Sequence, residues 1–89
     1  MWNWDETKRQ RTLQDRDIDF ADAVRFDFLN AQIRPDLWRD YGEPRFRVIG
    51  MLDGRLHVLI FAPRADARRV ISLRRANARE HRKWAASQN

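Results

Sequence analysis

The residues of this chain best placed to do chemistry are arginines. Arg45 opens a predicted strand just after Gly42-Glu43, and Arg74 and Arg75 leave the last predicted strand. Strand ends beneath loops are common places for sites. A guanidinium is permanently charged, and its forked donors match two phosphate oxygens at once. Groups of this type stabilise the charge that builds on a phosphoryl centre. Arg16, Arg79, Arg82 and Lys83 add charge for holding a polyanion, and Trp38, in a loop, offers a face on which a base can stack. Each has a plainer role beside the chemical one, since an arginine can equally brace the fold against Glu43 or Glu80.

Other chemistries are poorly served. Glu43 and Glu80 read as ion-pair partners before general bases. His57 and His81 can titrate near neutral pH, but a lone histidine is more often structural. No His, Asp or Glu cluster has metal-ligand spacing, and there is no glycine-rich phosphate loop. The absence of cysteine excludes disulfides and thiol chemistry. No metal and no cofactor are expected.

Charge sharpens the reading. The 89 residues carry a net charge of +5. From Arg64 to Asn89 eight Lys and Arg face two acids, whereas the preceding residues are nearly balanced. A local excess of this size favours a polyanion, nucleic acid first and an acidic protein second. The first residues lack the apolar run of a signal peptide, and no apolar run approaches a membrane span. A cytoplasmic chain forming a single domain over 1–89 is expected, with no membrane association.

The elements that must position these residues follow from periodicity. Asn3 or Asp5 caps a first helix over Asp5–Arg16, almost wholly polar, whose Lys8, Arg9, Arg11 and Arg16 make it a solvated lid or a wall of a binding site. Trp2, Trp4 and Leu13 must anchor it. Asp19 caps a second helix with Phe20, Ala23 and Val24 on one face. A strand is expected around Phe28–Ile33, and Arg45–Leu52 alternates, with Phe46 and Val48 on one face and Arg45 and Arg47 on the other. Asp53-Gly54 is a strong hairpin signal, joining that strand to an apolar one over Arg55–Ala62. Pro63–Ala67 turns into a strand over Arg68–Leu73, and the stretch Arg69–Trp84, which begins as that strand, then turns into a basic helix with Ala76 and Ala78 among Arg74, Arg75, Arg79, Arg82 and Lys83. The class is α+β: two N-terminal helices, an antiparallel sheet of about four strands, and a C-terminal basic helix.

With these landmarks placed, the chain resembles the BrnT family, toxins of type II toxin–antitoxin modules. Trp4-Asp5 with Lys8 matches the family's opening W-D-x-x-K, and Asp19-Phe20 with Ala23 its next segment. Gly42-Glu43 with Arg45 matches G-E-x-R, followed by Gly50 and Gly54-Arg55. Arg69-Val-Ile-Ser-Leu-Arg-Arg-Ala, Glu80 and an aromatic at Trp84 match its C-terminal pattern. The order and spacing of the motifs, more than any one of them, carry the match. Where members often have Asn and His-Gly, this chain has Thr12 and Arg16-Asp17, which removes a group able to titrate near neutral pH.

The resemblance implies a RelE-like fold and an endoribonuclease that blocks translation. It implies a cognate BrnA-like antitoxin, held in a toxin–antitoxin hetero-oligomer, with operator DNA bound only through that antitoxin. It also singles out Lys8, so that Lys8, Arg45, Arg74 and Arg75 become the expected catalytic set. RNA cleavage without a metal uses the substrate's own 2′-OH, which the protein must orient while it stabilises the phosphorane and moves two protons. The rival expectation is a non-catalytic or degenerate module that binds nucleic acid or antitoxin through the same basic surface.

Overall fold

In a computed structural model that describes residues 1–88, the chain is α+β. In order come β1 (Trp2–Trp4), α1 (Glu6–Arg16), a 3-10 helix (Phe20–Arg25), β2 (Gln32–Pro35), β3 (Phe46–Leu52), β4 (Arg55–Arg64), β5 (Ala67–Arg75) and α2 (Ala78–Ser87). The strands form one sheet in the order β1-β5-β4-β3-β2. Asp53 and Gly54 both take positive φ (50° and 80°), the primed turn that suits a right-twisted hairpin, and they close it at the Leu52–Arg55 pair. Strands β3, β4 and β5 make the expected meander.

Several expectations are corrected. The sheet has five strands and is mixed, because Trp2–Trp4 runs parallel to β5 in the register Trp2–Arg68 to Trp4–Val70. Three residues are too few to show a period, and a pairing across more than sixty positions has no local signature. Asn3 therefore lies in a strand, and α1 is capped by Asp5, whose side chain accepts from the Thr7 and Lys8 amides. The second helix is a 3-10 turn capped by Asp19. The strand expected over Phe28–Ile33 starts later, at Gln32, because Phe28 turns inward to stack on Trp2 (5.8 Å) and pack against Phe26 (5.2 Å). Arg74 and Arg75 belong to β5; α2 begins only at Ala78, where Asn77 and Glu80 form a reciprocal capping box. Asp17 ends α1 in the left-handed region (φ 56°) without glycine's freedom, its amide bonded to the Leu13 carbonyl.

Strand alternation gives the sheet two faces. One, with Val48, Leu59 and Leu73 fully buried, lies under Ile18, Phe20, Ala23 and Phe26. The other, with Ile49, Leu56 and Val58, lies under Trp84 of α2 and Ala76. Each fully buried Val, Leu, Ile or Phe among them contributes roughly 1.5–3 kcal/mol by leaving water. By contrast α1 buries no residue. It is tethered by the Arg9–Asp19 pair, in which Nε and Nη2 donate to the two carboxylate oxygens at 2.7 and 3.0 Å, and by Lys8 Nζ donating to the Ile71 carbonyl at 2.7 Å. No helix among the described residues is long and apolar enough to cross a membrane.

Gly50 marks the tightest point of the first core layer. A Cβ there would lie 2.8 Å from Ala31 Cβ and 2.8 Å from Phe26 Cε1. Gly50→Ala is expected to cost about 1–3 kcal/mol by overpacking and to lower the thermal midpoint by several degrees. An unchanged midpoint would show that this layer can relax.

Candidate functional site

The register of the meander lays the basic residues out in rows on the face that α2 half covers. Phe46 pairs with Phe61, so Arg45, immediately before β3, falls opposite Ala62, which in turn pairs with Arg69. The next row is Arg47–Ile60–Ser72, and the third is Ile49–Val58–Arg74. The helix covers the third row through Trp84 and leaves the first two partly exposed. The result is a sheet surface that is apolar at one end and cationic at the other.

Glu80 governs the boundary between the two ends. Its side chain is 9% exposed and receives Arg74 Nη1 and Nη2 at 2.8 Å each, Arg47 Nη2 at 2.6 Å and the Asn77 amide at 2.9 Å. The hydrogen bonds from Arg74 come first among the causes that hold its carboxyl near pKa 2. Such a group stays ionised and fully occupied, so it positions arginines and is unsuited to taking a proton. Arg79 and Lys83, one turn apart on α2, line a groove of about 440 Å³ with Arg47 and Glu80. Arg82 is exposed on the same helix.

At the other end Arg45 lies over the Tyr41 ring, 4.0 Å from its centroid, and 3.8 Å from Glu43. Its Nε is buried with no hydrogen-bond partner. Glu43 is held chiefly by a two-pronged bond from Arg64 (3.0 Å each), which keeps its carboxyl below the usual range. Arg69 has no ion-pair partner among the described residues. Lys8 reaches this corner from α1. Burial, with the charges of Arg45 and Arg69 added, outweighs the attraction of Asp5 and pushes its pKa down. Lys8 is therefore the group of this surface whose proton is loosened.

Lys8, Arg45 and Arg74 thus gather at one face, whereas Arg75 does not. It pairs with His57 across β4, on the opposite face of the sheet from Arg74, and lines a cleft with Asp17, Asp22 and Asp53. His57 is buried there, its Nδ1 donating to the Arg55 carbonyl at 2.8 Å. His81 sits near the hairpin, in a pocket with Met51, Gly54 and Leu56. Arg16 lines a groove with Lys8 and Arg74. Trp38 is 84% exposed in the loop between β2 and β3. Sequence reasoning missed Arg47 and Arg69 as site residues. The alternation that puts Arg45 and Arg47 on one side of a strand was a usable signal for Arg47. For Arg69 the signal was its place at the head of the family's C-terminal motif, while its row depends on the irregularity in β4–β5 pairing at Ile60/Phe61.

A family model described as ribonuclease toxin, BrnT, of type II toxin–antitoxin systems matches residues 4–80. No curated protein matches the chain.

The Glu80 cluster has a definite pH signature. A carboxyl lowered from 4.5 to about 2 stabilises the fold fully above its unfolded pKa and loses that contribution as pH falls toward 2. At neutral pH the contribution is of order 3 kcal/mol. Urea titrations at pH 7 and pH 3 should show wild-type stability falling with acid. Glu80→Gln should be less stable at pH 7 by roughly 2–3 kcal/mol and show a weaker acid dependence. Equal acid dependence in both proteins would remove Glu80 from this role.

Proposed function

The chain belongs to the BrnT family of ribonuclease toxins of type II toxin–antitoxin systems, and from that premise we propose a metal-independent endoribonuclease acting on the open, cationic half of the sheet. The observation that carries the reading is the convergence of Lys8, Arg45, Arg69, Arg47 and Arg74 on one surface from α1 and two strands, β3 and β5, distant in sequence. Two of these arginines, Arg45 and Arg69, fall either side of the fully buried Ala62 in one row.

In the proposed reaction the substrate's 2′-oxygen attacks the adjacent phosphorus, and the bond from phosphorus to the 5′-oxygen breaks. The products are a 2′,3′-cyclic phosphate and a 5′-hydroxyl. Lys8, in its neutral form, accepts the 2′-OH proton, and water protonates the leaving 5′-oxygen. Arg45 and Arg69 stabilise the phosphorane's charge, each worth on the order of 10²–10³ in rate by analogy with other oxyanion donors. Arg74 and Arg47, fixed by Glu80, hold the next phosphate, and Arg79, Arg82 and Lys83 extend the binding surface along α2. Trp38 is a stacking site for a base or a contact for the antitoxin, and Arg75 is dropped from the catalytic set.

The wider role follows from the family. Cleavage of cellular RNA in the cytoplasm blocks translation. A BrnA-like antitoxin neutralises the toxin in a hetero-oligomer, and that antitoxin alone contacts operator DNA. Residues 1–89 act as one toxin domain with a RelE-like arrangement of sheet and helices. A degenerate toxin that binds RNA without cutting it is favoured by one observation: both glutamates near the site are held low by arginines and Asp5 is taken up in capping α1, so Lys8 alone is left to move a proton.

Purified protein incubated with RNA in EDTA separates the readings. Wild type is expected to cut, with a rate that rises with pH through the lowered Lys8 pKa, somewhere below the ordinary 10.5. Arg69→Ala should lose about 10²-fold or more while melting within a few degrees of wild type. Lys8→Arg should keep RNA binding but lose most cleavage and the pH-dependent limb. RNA bound yet uncut by wild type at every pH would favour the binding module.

A further inference from the structure

The cationic surface continues around the edge of the sheet. β1 accompanies β5 only as far as the Trp4–Val70 pair, so β5 from Ile71 to Arg75 has no strand on that side. α1 lies there instead, leaving a groove of about 290 Å³ between helix and strand. Lys8, Thr12 and Arg16 line it, facing Ile71, Ser72 and Arg74. Residues four apart share one side of a helix, and the rise puts them about 6 Å apart along the axis. That repeat is comparable to the step between phosphates on an extended strand.

The charge inside the groove is unpaired. No carboxylate lines it. Arg9, elsewhere on the same helix, is bound by both Glu6 and Asp19, whereas Arg16 has no ion-pair partner among the described residues. Lys8 stands where the groove meets the sheet face, in the field of Arg45 and Arg69. The β5 edge has no strand on this side, and of its backbone groups the Ile71 carbonyl accepts from Lys8 Nζ at 2.7 Å.

We propose that this groove carries the sugar–phosphate backbone of single-stranded RNA away from the reacting phosphate, with Thr12 and Arg16 contacting phosphates outside the cleavage site. The inference rests on the ribonuclease reading and adds to it the strandedness of the substrate and its path. A groove of about 290 Å³ has room for part of one strand's backbone and not for a duplex, so it would select a single strand. An acidic peptide of the antitoxin is the competing occupant, and the test distinguishes it.

Oligoribonucleotides with 2′-O-methyl groups lack the nucleophile and report binding alone. Their affinities are measured against length and salt for wild type, Arg16→Ala, Arg16→Lys and Arg69→Ala. For long oligomers Arg16→Ala should weaken binding about three- to tenfold and reduce the salt slope by about 0.7, the share of one phosphate on a single strand. The shortest oligomers should bind it as they bind wild type, Arg16→Lys should restore the slope, and a blunt duplex should compete poorly. If Arg16→Ala matches wild type at every length while Arg69→Ala binds weakly, the groove is not the path. If Arg16→Ala weakens only the antitoxin, the occupant is the acidic peptide. If wild type binds no oligomer, the ribonuclease reading falls with it.

Discussion

One carboxylate ties the secondary structure to the surface chemistry. Glu80 completes the capping box that starts α2, takes both donors of Arg74 at the end of β5, and takes Arg47 from β3. Two arginines and a helix start therefore share a single buried anion. Breaking one partner of such a set is costly, because the remaining charges are left without compensation. The arrangement also fixes where α2 can lie, and hence which part of the sheet face is covered by Trp84 and which part stays open.

The open part is where positive charge accumulates, by a division of labour among the arginines. Arg9, Arg25 and Arg64 are each neutralised by carboxylates and brace loops or helices. Arg74 and Arg47 share one negative charge, leaving a net positive pair, and Arg69 has no partner among the described residues. Lys8 comes from a helix with no buried residue. That helix is held in place by its own polar tethers, so the wall it forms has little packing to make it rigid.

Much of this was legible in the sequence, in the places where local rules act. Asp53-Gly54 set the hairpin, alternation set the faces of β3, and Asp19 marked the second helix start. The C-terminal charge excess pointed to a polyanion, and the family motifs brought Lys8 forward. What escaped was non-local. The parallel strand Trp2–Trp4 exists because β5 is there to pair with it and because Trp2 is clamped by Phe28 and Phe61. Arg74 and Arg75 looked equivalent as neighbours at a strand end. Strand geometry sends them to opposite faces, one to Glu80 and one to the side of His57. Arg69 came into view only when the bulge in β4–β5 placed it beside Ala62 and Arg45.

The proposed ribonuclease holds its RNA on the open face of the sheet. Amide and side-chain NMR shifts during titration with a non-cleavable RNA would locate it residue by residue. The largest changes are expected at Arg45, Arg47, Arg69, Ser72 and Lys8, with His57 and Arg75 nearly still. Changes concentrated at His57, Arg75 and Asp53, with the Arg45–Ala62–Arg69 row unmoved, would place the substrate on the other face and contradict it.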